Sequence, residues 1–192
     1  MQLSSAALSG SNGPDGEALA FFTSREALIV AQAMGRIFPA EASGPGAIEA
    51  GAHYYLDRAL SGAELDLQQP YRTALARLDA IATGRFGGGF TTCSEDQQDE
   101  LIGLMADGQL PEFGVGPSAT EFFEMLRSHT LEGVFADPVH GGNRNFVGWN
   151  LLGYPGPQPG YSHEEQQLDA KIVRDRIYTA ADYPLPVTEV NK

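Results

Sequence analysis

The stretch SREALIVAQAMGRIFPA, residues 24–40, decides the fold class. Ile29, Ala33 and Ile37 recur every four residues beside Val30, Met34 and Phe38, a spacing that lays apolar side chains along one face of an α-helix. Ser24 stands where a cap is needed and Glu26 places negative charge in the first turn. Pro39, which has no backbone N–H and clashes with the preceding turn, stops the helix. Working outward, EASGPGAIEAGAHYYLDRALSG (41–62) opens on a Ser-Gly-Pro-Gly turn and carries Ile48, Ala52, Tyr55, Leu56, Ala59 and Leu60 on one face until Gly62. A third helix is expected from Pro70 to Ala82, with Tyr71, Ala74, Leu75, Leu78 and Ile81 as its stripe. A fourth runs from Ser94 to Ala106, N-capped by Ser94 with acids in its first turn. The fifth, Ser118 to Val134, sets Phe122, Met125, Leu126 and His129 on one face. SHEEQQLDAKIVRDRIYTA (162–180) reads as a last helix. Nothing alternates with the period of a strand. The expectation is an all-α domain over 24–178, about six helices with long Gly/Pro-rich loops. A flexible lead-in (1–23) precedes it and an extended C-terminal tail (179–192) follows.

Composition narrows the function. The chain has 192 residues, enough for one domain with a real core. It carries 25 acidic against 12 basic residues, a formal net charge of -13. Such a surface repels polyanions, so nucleic acid is a poor partner. No apolar run is long enough to span a bilayer, which argues against direct membrane insertion. The N-terminal MQLSSAALSGSNGPDGEALA lacks the basic region and long apolar core of a signal peptide. That fits either a cytoplasmic protein or one whose targeting segment has been removed. The single cysteine, Cys93, rules out an internal disulfide and leaves an inert thiol or an intersubunit disulfide.

A search for chemistry finds no complete catalytic set. GRFGGGF (84–90) lacks the glycine order of a dinucleotide site and the Lys-Ser/Thr ending of a phosphate loop, and reads as an interhelical connection. Of the histidines His53, His129, His140 and His163, two fall in one acid-bearing segment, where His129, Glu132, Asp137 and His140 crowd together. That grouping leaves open an independent metal-dependent enzyme beside the plainer reading of core or interface histidines.

The segment FADPVHGGNRNFVGWNLLGYPGP, residues 135–157, has no hydrophobic period and combines glycines and asparagines with the only tryptophan. Asp137 opens a turn before Pro138, Gly141 and Gly142 allow unusual dihedrals, Asn143 holds a turn, and Arg144 offers five donors. Phe146 and Trp149 supply apolar area suited to an interface, or to a loop that packs on itself. DPVHGGNRNFVGWNLLGYPG resembles the Asp-Pro-x-aromatic-Gly-Gly-Asn, Gly-Trp and Gly-x-Pro-Gly signature of the gluconate 2-dehydrogenase subunit 3 family. ALIVAQAMGRIFPA, GPGAIEAGAHYYLDRAL, YRTALARLDAIATGRFGGGFTTCSEDQQDELIGLM and FFEMLRSHTLEGVFADP resemble the family's other pieces in order and spacing. His140 stands where the family usually has an aromatic residue. The resemblance implies a noncatalytic small subunit that binds no cofactor itself. Its partner would be a large glucose-methanol-choline type flavoprotein holding FAD and oxidising sugars, sugar acids or glycosides. A multihaem cytochrome c, with c-type haem, would serve as a third subunit. It also implies export with the partner to the periplasm by a twin-arginine signal, although this chain carries none, and a small subunit that is either retained or a transient chaperone. Partner-binding residues would be Asp137, His140, Gly141, Gly142, Asn143, Arg144, Phe146, Trp149 and Tyr154, with Cys93 as the intersubunit thiol.

Overall fold

The computed structural model describes residues 12–110, 113–114, 116–170 and 174–183. Six α-helices form the described part: α1 Ser24–Ile37, α2 Ala52–Leu60, α3 Gln68–Phe86, α4 Glu95–Ala106, α5 Ala119–Phe135 and α6 Val147–Leu152. Among the described residues there is no strand, only the isolated bridges Asn12–Ala18 and Glu41–Gly44. The fold is all-α, as the helical periods require.

Three helices start at capping boxes, in which a hydroxyl and a carboxyl or amide satisfy two otherwise orphaned backbone donors. These are Thr23 with Glu26, Ser94 with Gln97 and Ser118 with Glu121. The cap of α1 is therefore Thr23, one residue before the expected Ser24. Gly51, at φ 66°, delays α2 to Ala52 and leaves Ile48 half exposed on the preceding turn, outside the helix. Gly87, at φ 80°, ends α3.

α5 is the central helix and packs against each of the other five. Its Gly133 permits the close approach of α2, since a Cβ there would lie 2.7 Å from Ala52 Cα. Phe22, Val30, Met34, Leu56, Leu60, Tyr71, Leu75, Leu78, Leu101, Met105, Phe122 and Leu126 make one continuous apolar core. No helix among the described residues is long and apolar enough to cross a membrane.

One expectation is corrected. Over 162–170 and 174–179 the chain forms turns and bends, not an α-helix, and a 3-10 turn follows at Ala180–Asp182. Leu168, the large apolar residue of 162–170, is fully exposed, so that stretch seats no large apolar side chain on the core to stabilise a helix. The sixth helix lies instead at 147–152, inside the segment read as irregular. Before α1, the buried Asp57 carboxylate accepts the amides of Ala20 (2.6 Å), Phe21 (3.0 Å) and Phe22 (2.8 Å), which ties the end of the lead-in to α2. The proline-containing end of the tail, 184–192, lies outside the described residues.

Candidate functional site

The segment 135–157 is built by close backbone approaches. A Cβ on Gly142 would stand 2.1 Å from Gly133 O, and one on Gly148 2.1 Å from Val134 O, so both positions need glycine to dock on the end of α5. Asn143 is wholly buried and in the left-handed region. Its Nδ2 donates to Ala136 O (2.9 Å) and its Oδ1 accepts from Gly148 N (2.8 Å) and Trp149 N (3.4 Å). Those two amides belong to the first turn of α6 and would otherwise be unpaired. Asn145 and Phe146 are also left-handed, a strained run that the surrounding contacts must hold in place. Asp137 Oδ1 accepts Val139 N (3.0 Å), the expected turn, and its Oδ2 accepts Ala180 N (2.7 Å).

Several residues read as partner contacts are thereby occupied inside the chain. Trp149 is 4% exposed and donates from Nε1 to Phe135 O (2.8 Å), so its ring anchors the loop to α5 and is not available to a docking protein. Gly141, Gly142 and Asn143 are buried as well. Arg144 lies over the Tyr54 ring, 3.9 Å from its centroid, and pairs with Asp15 (2.9 Å) and Glu17. Its guanidinium fastens residues 15–17 to the loop. Those acids lie more than a hundred residues away in sequence, and no local pattern links them to Arg144. Phe146 is half-buried and stacks on Trp149, while Tyr154 meets the Trp149 edge at 5.0 Å and is exposed.

The loop does present a different surface. Leu151, Leu152 and Tyr154 are exposed at the end of α6, and Ile48 is exposed on the turn before α2. Leu151 covers Gly44, and Ile48 separately covers Gly35 on α1. Sequence reasoning picked out Tyr154 here and passed over the leucines, because the short α6 was not legible.

A groove of about 650 Å³ runs beside the loop, lined by Tyr55, Arg58, Glu64, Asp137, Val139 and His140 among others. The expected histidine cluster is only half assembled at its edge. His129 and Glu132 come together with Glu64, which the sequence had not nominated. Asp137 is committed to the turn and to Ala180, and His140 is exposed on the rim. The His129 ring is buried between Tyr71 OH at Nδ1 (2.6 Å) and Glu64 Oε2 at Nε2 (2.6 Å). Burial, and then the charges of Glu64 and Glu132, push the Tyr71 phenol well above its ordinary range. Tyr55 is raised in the same way by burial and by its hydrogen bond to Glu132 (2.8 Å). Tyr71→Phe, which leaves His129 Nδ1 buried without a partner, is expected to destabilise the fold by about 1–2 kcal/mol in urea denaturation.

The remaining nominees are placed apart. Cys93 is partly buried on a separate groove of about 400 Å³ with Gln32, Arg36, Ile48 and Glu95. Burial, followed by the nearby Asp79 charge, raises its thiol pKa, which disfavours the reactive thiolate. The glycines at 87–89 connect α3 to α4 through the 3-10 turn Phe90–Thr92. His53 is buried with neither ring nitrogen hydrogen-bonded.

No curated protein and no solved structure matches the chain. A family model does: that of gluconate 2-dehydrogenase subunit 3 matches residues 24–156, from the first residue of α1 to the Gly-x-Pro-Gly turn after α6. The match takes in all six helices and the buried glycine–asparagine loop, and the chain belongs to the gluconate 2-dehydrogenase subunit 3 family.

Proposed function

We propose that this chain is the noncatalytic small subunit of a flavin-dependent dehydrogenase. It binds and stabilises a large FAD-containing subunit that oxidises a sugar, sugar acid or glycoside. Family membership supports a complex with other dehydrogenase subunits. The observation that carries the docking role is the set of exposed apolar side chains Leu151, Leu152 and Tyr154 at the end of α6, on a loop that is otherwise packed inward. Large apolar side chains gathered at one surface mark a place where another protein excludes water. The acidic chain would meet a partner surface of lower negative charge around that apolar contact. In this reading a cytochrome c takes the electrons, and the complex is exported to the periplasm with this chain escorting its partner.

Leu152 is 66% exposed, so its replacement tests docking without disturbing the core. Leu152→Asp is expected to weaken association with the co-expressed flavoprotein about tenfold, or about 1.4 kcal/mol, while the circular dichroism spectrum and Tm stay as in the parent. Binding at parental strength would show that this face is not the interface. A pull-down from the source cell that yields no yellow, sugar-oxidising partner would remove the subunit reading itself. Finding the flavoprotein active and without this chain in its mature form would favour a transient chaperone.

A further inference from the structure

Glu64, His129 and Glu132 form a second, independent feature. Their ligand atoms all lie within 4.8 Å of one another. His129 and Glu132 stand three residues apart on α5, one turn of the same face, and Glu64 comes from the connection between α2 and α3. Exposure is graded across the group: the His129 side chain is 7% exposed, that of Glu64 31%, and Glu132 lies at the surface. Glu64 and Tyr55, the residue bonded to Glu132, both line the groove, which gives the group a path to solvent.

Partners outside the group hold two of its members. The Tyr71 hydroxyl sits at 2.6 Å from His129 Nδ1, on the side of the ring away from the carboxylates, and turns Nε2 toward them. With an ion bound, a ring proton on Nδ1, accepted by the Tyr71 oxygen, would free the Nε2 lone pair for the metal. Tyr55 OH donates to Glu132 Oε2 at 2.8 Å. Outer hydrogen bonds of this kind orient imidazole and carboxylate ligands in metal sites. Among the described residues His129 is the only ion-pair partner of Glu64, and none is found for Glu132. Two carboxylates thus stand beside one imidazole that is bonded to only one of them, a charge excess that a divalent cation would neutralise.

We propose that Glu64, His129 and Glu132 bind a divalent transition-metal ion, with Zn²⁺ the best suited. The imidazole disfavours Mg²⁺ and Ca²⁺, which take all-oxygen sets, and the absence of thiolate from the group disfavours Cu⁺. Zinc bond lengths of about 2.0–2.2 Å set tetrahedral ligand separations of about 3.3 Å. His129 Nε2 and Glu64 Oε2, now 2.6 Å apart, open by about 0.7 Å, and Glu132 swings inward. Both carboxylates are on flexible side chains with solvent access, so neither movement disturbs the core. The fourth position is left to water from the groove. The ion cross-links the α2–α3 connection to α5, the central helix.

The test is titration of the chelator-treated, purified full chain with Zn²⁺ by calorimetry, together with thermal melts, with Mg²⁺ as the comparator. One equivalent of Zn²⁺ is expected to bind and to raise Tm, and Mg²⁺ to do neither. Glu64→Gln and Glu132→Gln are each expected to weaken Zn²⁺ binding at least tenfold. Glu132 is exposed, so its variant keeps the fold, which the apo melting curve verifies. His140→Ala, on the groove rim, is expected to leave the affinity unchanged. Absence of stoichiometric binding would overturn the proposal, as would affinity insensitive to both glutamine variants. Loss of binding in His140→Ala with retention in Glu132→Gln would place the ion elsewhere and overturn it equally. None of these outcomes depends on a partner protein.

Discussion

Asp57→Ala is expected to destabilise the chain by about 4 kcal/mol and to release residues 12–23 from the helices. Asp57 is 2% exposed on α2, and its two oxygens accept three consecutive amides, those of Ala20, Phe21 and Phe22. Hydrogen bonds to an ionised acceptor are the stronger kind, and each buried donor left without a partner costs about 1–3 kcal/mol. Phe22 is 1% exposed in the core, so these amides cannot simply turn to water while its ring stays in place. The sum is limited because the segment can peel away, which forfeits Phe22 burial and the approach of Asp15 and Glu17 to Arg144. Asp57→Asn keeps one good acceptor and should lose roughly half as much. Urea denaturation gives the energy, and limited proteolysis locates the release by new cleavage within 12–23. An alanine variant as stable and as resistant as the parent would show that the carboxylate does not hold this segment.

The second large effect concerns acid. His53 is 4% exposed, packs 4.1 Å from the Tyr54 ring and has no hydrogen bond at either nitrogen. Burial, and then the Arg144 charge, hold its pKa down to about 4. In the unfolded chain the ring takes its proton near the ordinary value of about 6.5, so between the two values the unfolded state binds more protons. The stabilisation from a neutral His53 is therefore complete above about pH 6.5, declines as pH falls through the window, and is gone below about pH 4. A shift of this size corresponds to about 3 kcal/mol. His53→Leu removes the titration without removing any hydrogen bond. The variant is expected to match or exceed the parent at pH 7.5 and to lose about 3 kcal/mol less on going to pH 4, in urea denaturation at both. Parallel pH profiles for parent and variant would mean that the ring is not kept neutral in the fold.

What could be read in the sequence follows the range over which each interaction acts. α1, α4 and α5 were legible because an apolar stripe and a cap lie within one or two turns of each other, and α3 by its stripe alone; Ser94 took its predicted role. The start of α2 was not, since a stripe that includes Ile48 gives no sign that Gly51 turns left-handed. α6 has only six residues and begins beyond three left-handed non-glycine residues, with its first amides satisfied by Asn143 from outside the helix. No local propensity predicts that. Trp149 shows the other limit: composition marks a large aromatic as an anchor without saying whether it anchors another protein or its own loop. Glu64 joined His129 across 65 residues, and Arg144 found Asp15 across 129, distances at which a single sequence carries no pairing signal.

The bond from Ala180 N to Asp137 Oδ2 has a consequence for the order in which the protein is made. A nascent chain that has reached residue 156 already contains all six helices and every residue of the family match. It still lacks this brace on the turn that opens the loop. Ribosomal synthesis therefore completes the helical body first and delivers the clasp at 180 afterwards. A chain truncated between 156 and 180 should accordingly keep its core and hold the turn at Asp137 less firmly.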